Sequence, residues 1–264
     1  MTAAELVTIT KPDDWHLHLR DEIALKTTVP ATSRVFGRAI VMPNLKPPVT
    51  SVKMALNYRS RILEYKTPDS SFNPLMTLFL TDNLDPNEIV SLSNEESVVA
   101  VKYYPAGATT NSDTGVTNIK NVYRIIEKMA ELGVPLLLHG EVTENHIDIF
   151  DREKVFIETI LAPLIERYPD LKVILEHITT KDSVEFIESQ SSRVAGTITI
   201  HHLLYNRNDM LVGGIKPHLY CLPVLKRNIH QTSLIRAALG LSLIHISEPT
   251  RRTPSSYAVF CLKK

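Results

Sequence analysis

The string DDWHLHLRD, residues 13–21, sets His16 and His18 two residues apart and Arg20 two beyond. In extended backbone alternate side chains share a face, so all three project the same way. Two neutral imidazoles on one face can share a divalent cation, and imidazole suits zinc. His139 closes the apolar run VPLLLHG, His177 closes LKVILEH, and Lys102 stands in SVVAVKYYP in phase with Val98 and Ala100. Each has a plainer reading by itself: a rim histidine held by hydrogen bonds, or a lysine reaching to solvent. Packing does not explain them together, because imidazoles around a buried amine are costly without a compensating metal.

The lysine has a use in such a setting. A protonated ammonium is a poor neighbour for divalent cations, whereas a desolvated neutral amine adds carbon dioxide to give a carbamate, a carboxylate able to bridge two metals. Two zinc ions about 3.5–4 Å apart would generate a hydroxide nucleophile and polarise a carbonyl. Such chemistry also needs a carboxylate to carry the proton. Two further segments suit substrate handling. VMPNLKPP puts Asn44 just past a strand between prolines, and YPAGATTNSDTG (104–115) has the small, polar composition of a mobile flap or of an ordinary surface loop.

Strands must carry these residues. Apolar runs at 38–43, 74–80, 97–104, 134–140, 171–177 and 194–200, with LVTI and DWHLHL before them, alternate with helical patterns such as 51–65, 118–132 and 152–168. Near-continuous apolar strands between helices indicate a parallel sheet covered on both faces. The number of units, without a Gly-rich nucleotide turn, favours a (β/α)8 TIM-type barrel over a doubly wound sheet. In such a barrel chemistry sits at the C-terminal ends of the strands, which is where the histidines and Lys102 fall.

Composition narrows the partners. The 264 residues are 44% hydrophobic and 22% charged, with 29 basic against 29 acidic side chains. No block of like charge marks a nucleic acid or anionic membrane partner, so any charged ligand must be met by local residues. Cys221 and Cys261 cannot build a disulfide framework, no apolar run approaches a membrane span, and the N-terminal stretch lacks a signal-peptide pattern. A cytoplasmic protein is the expectation.

PDDWHLHLRD, AIVMPNLKPPVT, VKYYPAGATTNS, PLLLHGEVT, LEHITTKD, NRNDMLVGG and PHLYCLP, in this order and spacing from about residue 7 to about residue 240, resemble the bacterial-type single-function dihydroorotases of the amidohydrolase superfamily. The flap string and the Met-Pro-Asn string together set it apart from hydantoinases and allantoinases. The resemblance implies an amidohydrolase barrel with a small-molecule substrate, reversibly cyclising N-carbamoyl-L-aspartate to L-dihydroorotate in pyrimidine (UMP) synthesis, in a homodimer. It implies one zinc on His16 and His18, a second on His139 and His177, and a carbamate of Lys102 bridging them. It also implies a substrate carboxylate held by Arg20 and Asn44, with His18, His139, Leu222 and the flap residues Thr109 and Thr110 touching substrate. His201 and His202, expected to end another strand, are given no ligand role.

One part of the pattern is missing. The family's carboxylate, both zinc ligand and base, lies on the eighth strand in a Gly-[Ser/Thr]-Asp-Ser-Ala-Pro-His string that does not occur here. The likeness stops near RNIHQTSLIRAALG. The following LSLIHISEPTRRTPSSYAVFCLKK resembles a translated sequencing adaptor. The expected organisation is therefore a barrel domain at 1–240, incomplete at its eighth strand, and a non-native tail at 241–264. The gap between the first and seventh strands would be left open or filled by SLIHIS (242–247), His245 and Cys261 would serve no function, and no catalytic carboxylate is present. Such a chain is expected to be poorly folded and nearly inactive. The competing readings are a related cyclic amidase of the hydantoinase or allantoinase type, and a non-catalytic paralogue acting as a binding partner.

Overall fold

The computed structural model describes residues 10–240 and the backbone of a strand at Val259–Leu262. Seven strands pair in parallel and in chain order: β1 (Asp14–Leu17), β2 (Arg38–Val41), β3 (Asn73–Leu80), β4 (Val98–Tyr103), β5 (Leu136–His139), β6 (Val173–Glu176) and β7 (Val194–Thr199). Helices α1 (Leu25–Val35), α2 (Val52–Glu64), α3 (Pro86–Ser93) and α4 (Tyr123–Leu132) cover the first half. The second half carries α5 (Arg152–Phe156), α6 (Ala162–Arg167), α7 (Lys181–Ser189), α8 (Ile200–Leu204), α9 (Arg207–Leu211) and α10 (Asn228–Gly240). This is the expected TIM-type barrel, nearly closed and incomplete at its seam. β5, buried at all four positions, shows why the strands read as apolar runs: helices cover one face and the barrel interior the other.

Three expectations need correcting. The seam carries an unexpected strand: β8 (Val259–Leu262) pairs with β7 antiparallel and approaches β1, but no pairing between β8 and β1 closes the barrel among the described residues. The run 242–247, like the rest of the tail apart from the β8 backbone and like the whole of LVTI, lies outside the described residues. The helical pattern at 152–168 is interrupted by a π turn at Ile157–Leu161, just before Pro163, which has no N–H to continue the ladder. His201 and His202 stand in the first turn of α8, after β7 has ended at Thr199.

Two buried anchors fix the loops that leave the strand ends. Glu153 of α5 is 2% exposed and accepts hydrogen bonds from the turn between β6 and α7. Its donors are Thr179 N–H (2.9 and 3.0 Å), Thr179 Oγ1 (2.6 Å), Thr180 N–H (2.9 Å), Thr180 Oγ1 (2.6 Å) and the Ser183 hydroxyl. Thr180 Oγ1 also caps α7 by accepting from Ser183 N–H at 3.1 Å. His202 supplies the second anchor. Its Nε2 faces the Pro223 carbonyl at 3.1 Å and must carry the proton, so Nδ1 accepts from Thr199 Oγ1 at 2.5 Å. The neutral ring thereby ties the end of β7 to the segment at 220–226.

Glu153→Leu should strand the donors of the β6–α7 turn in a buried place and cost about 3–5 kcal/mol of unfolding free energy. Chemical denaturation would measure this; a loss under about 1 kcal/mol would show that water or neighbours replace the carboxylate. His202 gives a pH prediction. Burial, and then His201 and Lys226, hold its folded pKa well below its ordinary 6.5. The unfolded chain therefore takes up this proton first, and the contribution of His202 is full above about pH 6.5 and drains away as the pH falls below it. Melting temperature should fall on acidification below that value, with a shallower dependence in His202→Asn; identical profiles would contradict the anchor.

Candidate metal centre and substrate cavity

At the C-terminal ends of the strands lies a cavity of about 320 Å³. His16, His18, Arg20, Asn44, Thr109, Thr110, His139, His177 and Leu222 all line it. Lys102 alone of the expected residues does not line it, because its side chain is fully buried within β4 (0% exposed).

Sequence reasoning missed the residue that organises the floor. Glu176, the last residue of β6, places Oε1 3.0 Å from His16 Nδ1 and accepts with Oε2 from Lys102 Nζ. The contact has ion-pair distance without hydrogen-bond alignment; a carboxylate facing Nδ1 favours the proton there, which leaves Nε2 its lone pair. That lone pair faces His18 Nε2 at 3.1 Å. Two ring nitrogens this close need a proton or a cation between them. His177 follows Glu176 directly, which strict strand alternation would send to the opposite face. It has left the strand at φ 43°, and its N–H donates to Thr197 Oγ1 at 2.8 Å. Both side chains consequently face one place, and donor atoms of His16, Glu176 and His177 come within 4.8 Å of one another. His177 Nδ1 is buried without a hydrogen-bond partner. The signal for Glu176 was present as a lone acidic residue in an otherwise apolar strand.

The imidazoles crowd together edge to face, with ring centroids 5.0 Å apart for His16–His18 and His16–His177, and 4.8 Å for His139–His177. Burial lowers the pKa of His16, although Glu176 opposes it. Burial takes His18 and His177 well below the ordinary value, helped by neighbouring positive groups. Lys102 is likewise lowered by burial against the pull of Glu176, and its Nζ stands 5.0 Å from the Tyr104 ring centroid. For Glu176 itself burial raises the pKa, but His16 and Lys102 outweigh it and the net shift is downward. Neutral imidazoles, with unpartnered ring nitrogens on His18 and His177, and a carboxylate make a donor set that fits divalent metal.

Above this floor, Asn44 is latched to the flap. Its Nδ2 donates to the Thr110 carbonyl at 2.9 Å, and Asn111 Nδ2 returns a bond to the Asn44 carbonyl at 3.0 Å. Ser112, fully buried, holds the flap's own turn through Thr109. A Cβ on Gly115 would lie 2.4 Å from the Tyr104 carbonyl, so only glycine lets the flap return beside β4. The segment 104–115 is thus an internally bonded lid over the mouth. Among the described residues, none that lines the cavity is an aspartate or glutamate.

Known proteins resemble this chain in sequence and fold. The profile of the "Amidohydrolase family" matches residues 9–238. The chain is 62% identical over 232 residues to a curated protein named "Dihydroorotase" from Shewanella denitrificans, covering 88% of this chain and 67% of that one. It is 61% identical over 230 residues to another of that name from Hahella chejuensis, covering 87% and 67%. Among solved structures it resembles the dihydroorotase of Campylobacter jejuni, with 38% identity and a TM-score of 0.80 over 87% of this chain and 66% of that chain. The match to the dihydroorotase of Saccharomyces cerevisiae in complex with 5-fluoroorotic acid has 31% identity and a TM-score of 0.77 over the same shares. The chain spans about two thirds of the length of these relatives. An L-hydantoinase from Arthrobacter aurescens, at 16% identity and a TM-score of 0.70, shares the fold alone. By the profile, the identities and the barrel, the chain belongs to the amidohydrolase family, on its dihydroorotase branch.

Proposed function

We propose that this chain carries the substrate and metal machinery of a dihydroorotase, which interconverts N-carbamoyl-L-aspartate and L-dihydroorotate in pyrimidine synthesis. The observation that carries the reading is the convergence of His16, His18, His139 and His177 over buried Lys102, beneath a cavity that also presents Arg20 and Asn44. His16, His18, His139 and His177 would hold two zinc ions, and Lys102, as its carbamate, would be a further ligand. When bound, the two ions supply Lewis-acid polarisation of the amide carbonyl and acidify water.

The remaining work belongs to side chains. Arg20 forks onto the substrate carboxylate, a geometry suited to guanidinium. Asn44 gives up the Thr110 carbonyl to share that carboxylate, so substrate and flap compete for one amide. His18, His139 and the main chain at Leu222 orient the ring amide, while Thr109 and Thr110 close over it and exclude water. To become a carbamate, Lys102 would give up its ammonium proton and part from Glu176, add carbon dioxide and release the second N–H proton to solvent, and Glu176 would keep its place beside His16. We assign the chain to the cytoplasm and to a homodimer on the family reading.

The proton shuttle is the weak point. Glu176 is occupied by Lys102 and His16, Glu141 lies against His139, and no described carboxylate lines the cavity. This observation favours a second reading, a protein that binds the substrate and turns it over poorly. With zinc and bicarbonate supplied, the chain should bind dihydroorotate while cyclising carbamoyl aspartate about 10²–10⁴-fold more slowly than the Shewanella relative. Turnover equal to that relative would contradict the missing shuttle. Arg20→Ala should weaken dihydroorotate binding by roughly 10- to 100-fold in calorimetry, the worth of a charged hydrogen-bonded pair. Plain hydantoin, which lacks the carboxylate, should bind poorly to both; equal affinity of the parent chain for both ligands would instead support the cyclic-amidase reading.

A further inference from the structure

A second buried carboxylate stands behind the other half of the cluster. Glu141 lies two residues beyond His139 and is 2% exposed. The glycine between them lets the backbone pass close to β6: a Cβ on Gly140 would lie 2.4 Å from Leu175 Cδ1. Glu141 Oε2 is 2.9 Å from His139 Nε2. Because the carboxylate accepts, Nε2 carries the proton and Nδ1 is left with the lone pair. A histidine so held has one ring nitrogen and one orientation to offer a cation.

The other oxygen of Glu141 has no hydrogen-bond partner, and Lys226 Nζ lies 4.0 Å from it. The Lys226 side chain is 2% exposed, and its Nζ donates to the Val224 carbonyl at 3.2 Å. Burying an ammonium near the barrel mouth is expensive unless an anion faces it, and Glu141 is that anion. The chain around Lys226 is firmly held. Its carbonyl accepts from Arg207 N–H at 2.8 Å, Pro223 is tied to His202, and Val224 and Leu225 are each 2% exposed. Leu222, at the cavity wall, belongs to this same segment. An unbroken line of contacts therefore runs from His139 through Glu141 and Lys226 to the backbone beside Leu222.

We propose that Glu141 and Lys226 act together as positioning residues. Glu141 locks His139 in the tautomer whose Nδ1 takes the metal, and Lys226 supplies the charge that keeps the carboxylate in place while fastening it to the segment that receives the substrate. The proposal rests on the metal-centre reading above, but it concerns metal affinity and ring tautomer rather than turnover.

The test uses the full chain, with Zn²⁺ affinity measured by competition against a chromophoric chelator and with ¹⁵N NMR of the histidine rings. Glu141→Leu should weaken Zn²⁺ binding 10- to 100-fold, as loss of an outer-shell carboxylate does, and should remove the Nε2–H signature of His139. Glu141→Gln keeps an acceptor but loses the charge, so it should fall between parent and Glu141→Leu. Lys226→Met should also weaken binding, and the double variant E141Q/K226M should be no weaker than the worse single variant, because Lys226 acts through Glu141. A merely structural ion pair would lower the metal-free melting temperature and leave affinity and tautomer alone, which would overturn the proposal. Additive losses in the double variant would overturn the pairing. If Glu141→Leu does not fold, the isosteric Gln variant and Lys226→Met carry the same comparison. Parent chain that binds Zn²⁺ but not dihydroorotate would sink the dihydroorotase reading and leave this one standing.

Discussion

A fully buried lysine sits at the floor of this barrel, and Glu176 is what permits it. An ammonium with no exposure to water needs an opposite charge within contact distance, and Glu176 on the neighbouring side of the barrel meets Lys102 while its other oxygen reaches His16. The pairing reaches well beyond charge balance. It sets a carboxylate against His16 Nδ1, which favours the tautomer with Nε2 open toward His18, and it joins β1, β4 and β6 at one point. An apolar residue at 176 would leave Lys102 uncompensated and His16 free to turn, and the cluster would lose its common focus. Burial of the amine opposes that pairing and favours its neutral form.

Around that focus the structure repeats one device, a buried polar group that secures a loop to a strand end. Thr197 holds the His177 backbone and Glu153 holds the two threonines that follow it, so a residue at positive φ is fixed from both sides. His202 secures the segment carrying Leu222, and Glu141 with Lys226 connects that segment to His139. Asn44 is the exception. Its contacts with Thr110 and Asn111 are to a flap, and they are of a kind that a carboxylate ligand can replace. The fixed parts surround the cluster and the replaceable contacts lie over the mouth, as binding and release demand.

Much of this was readable from residue types. Apolar runs located the parallel strands to within a few residues, because burial on both faces removes the polar positions that would blur them. Histidines at the ends of those runs located the cavity, since a barrel brings all strand ends to one rim. Other features were hidden for physical reasons. Helix α1, with the sequence LKTTVPATSRV, has poor intrinsic propensity and an internal proline; it is burial of Leu25, Val29 and Thr32 on one face that makes it helical. Glu176 stood out only as a lone acidic residue in an apolar strand, and Glu141 only as a neighbour of His139; their pairing with Lys102 and Lys226 joins distant segments, which local spacing does not reveal. The antiparallel β8 was unreadable because tertiary pairing with β7, rather than strand pattern, decides it.

The account stands or falls on Lys102 as a metal-bridging carbamate. The direct measurement is ¹³C NMR of the chain incubated with ¹³C-bicarbonate and Zn²⁺, alongside metal analysis of the same sample. A carbamate resonance that disappears in Lys102→Ala, together with two zinc ions per chain in the parent, is the predicted result. Absence of that resonance, with one zinc ion or none bound and no difference between parent and variant, would contradict it.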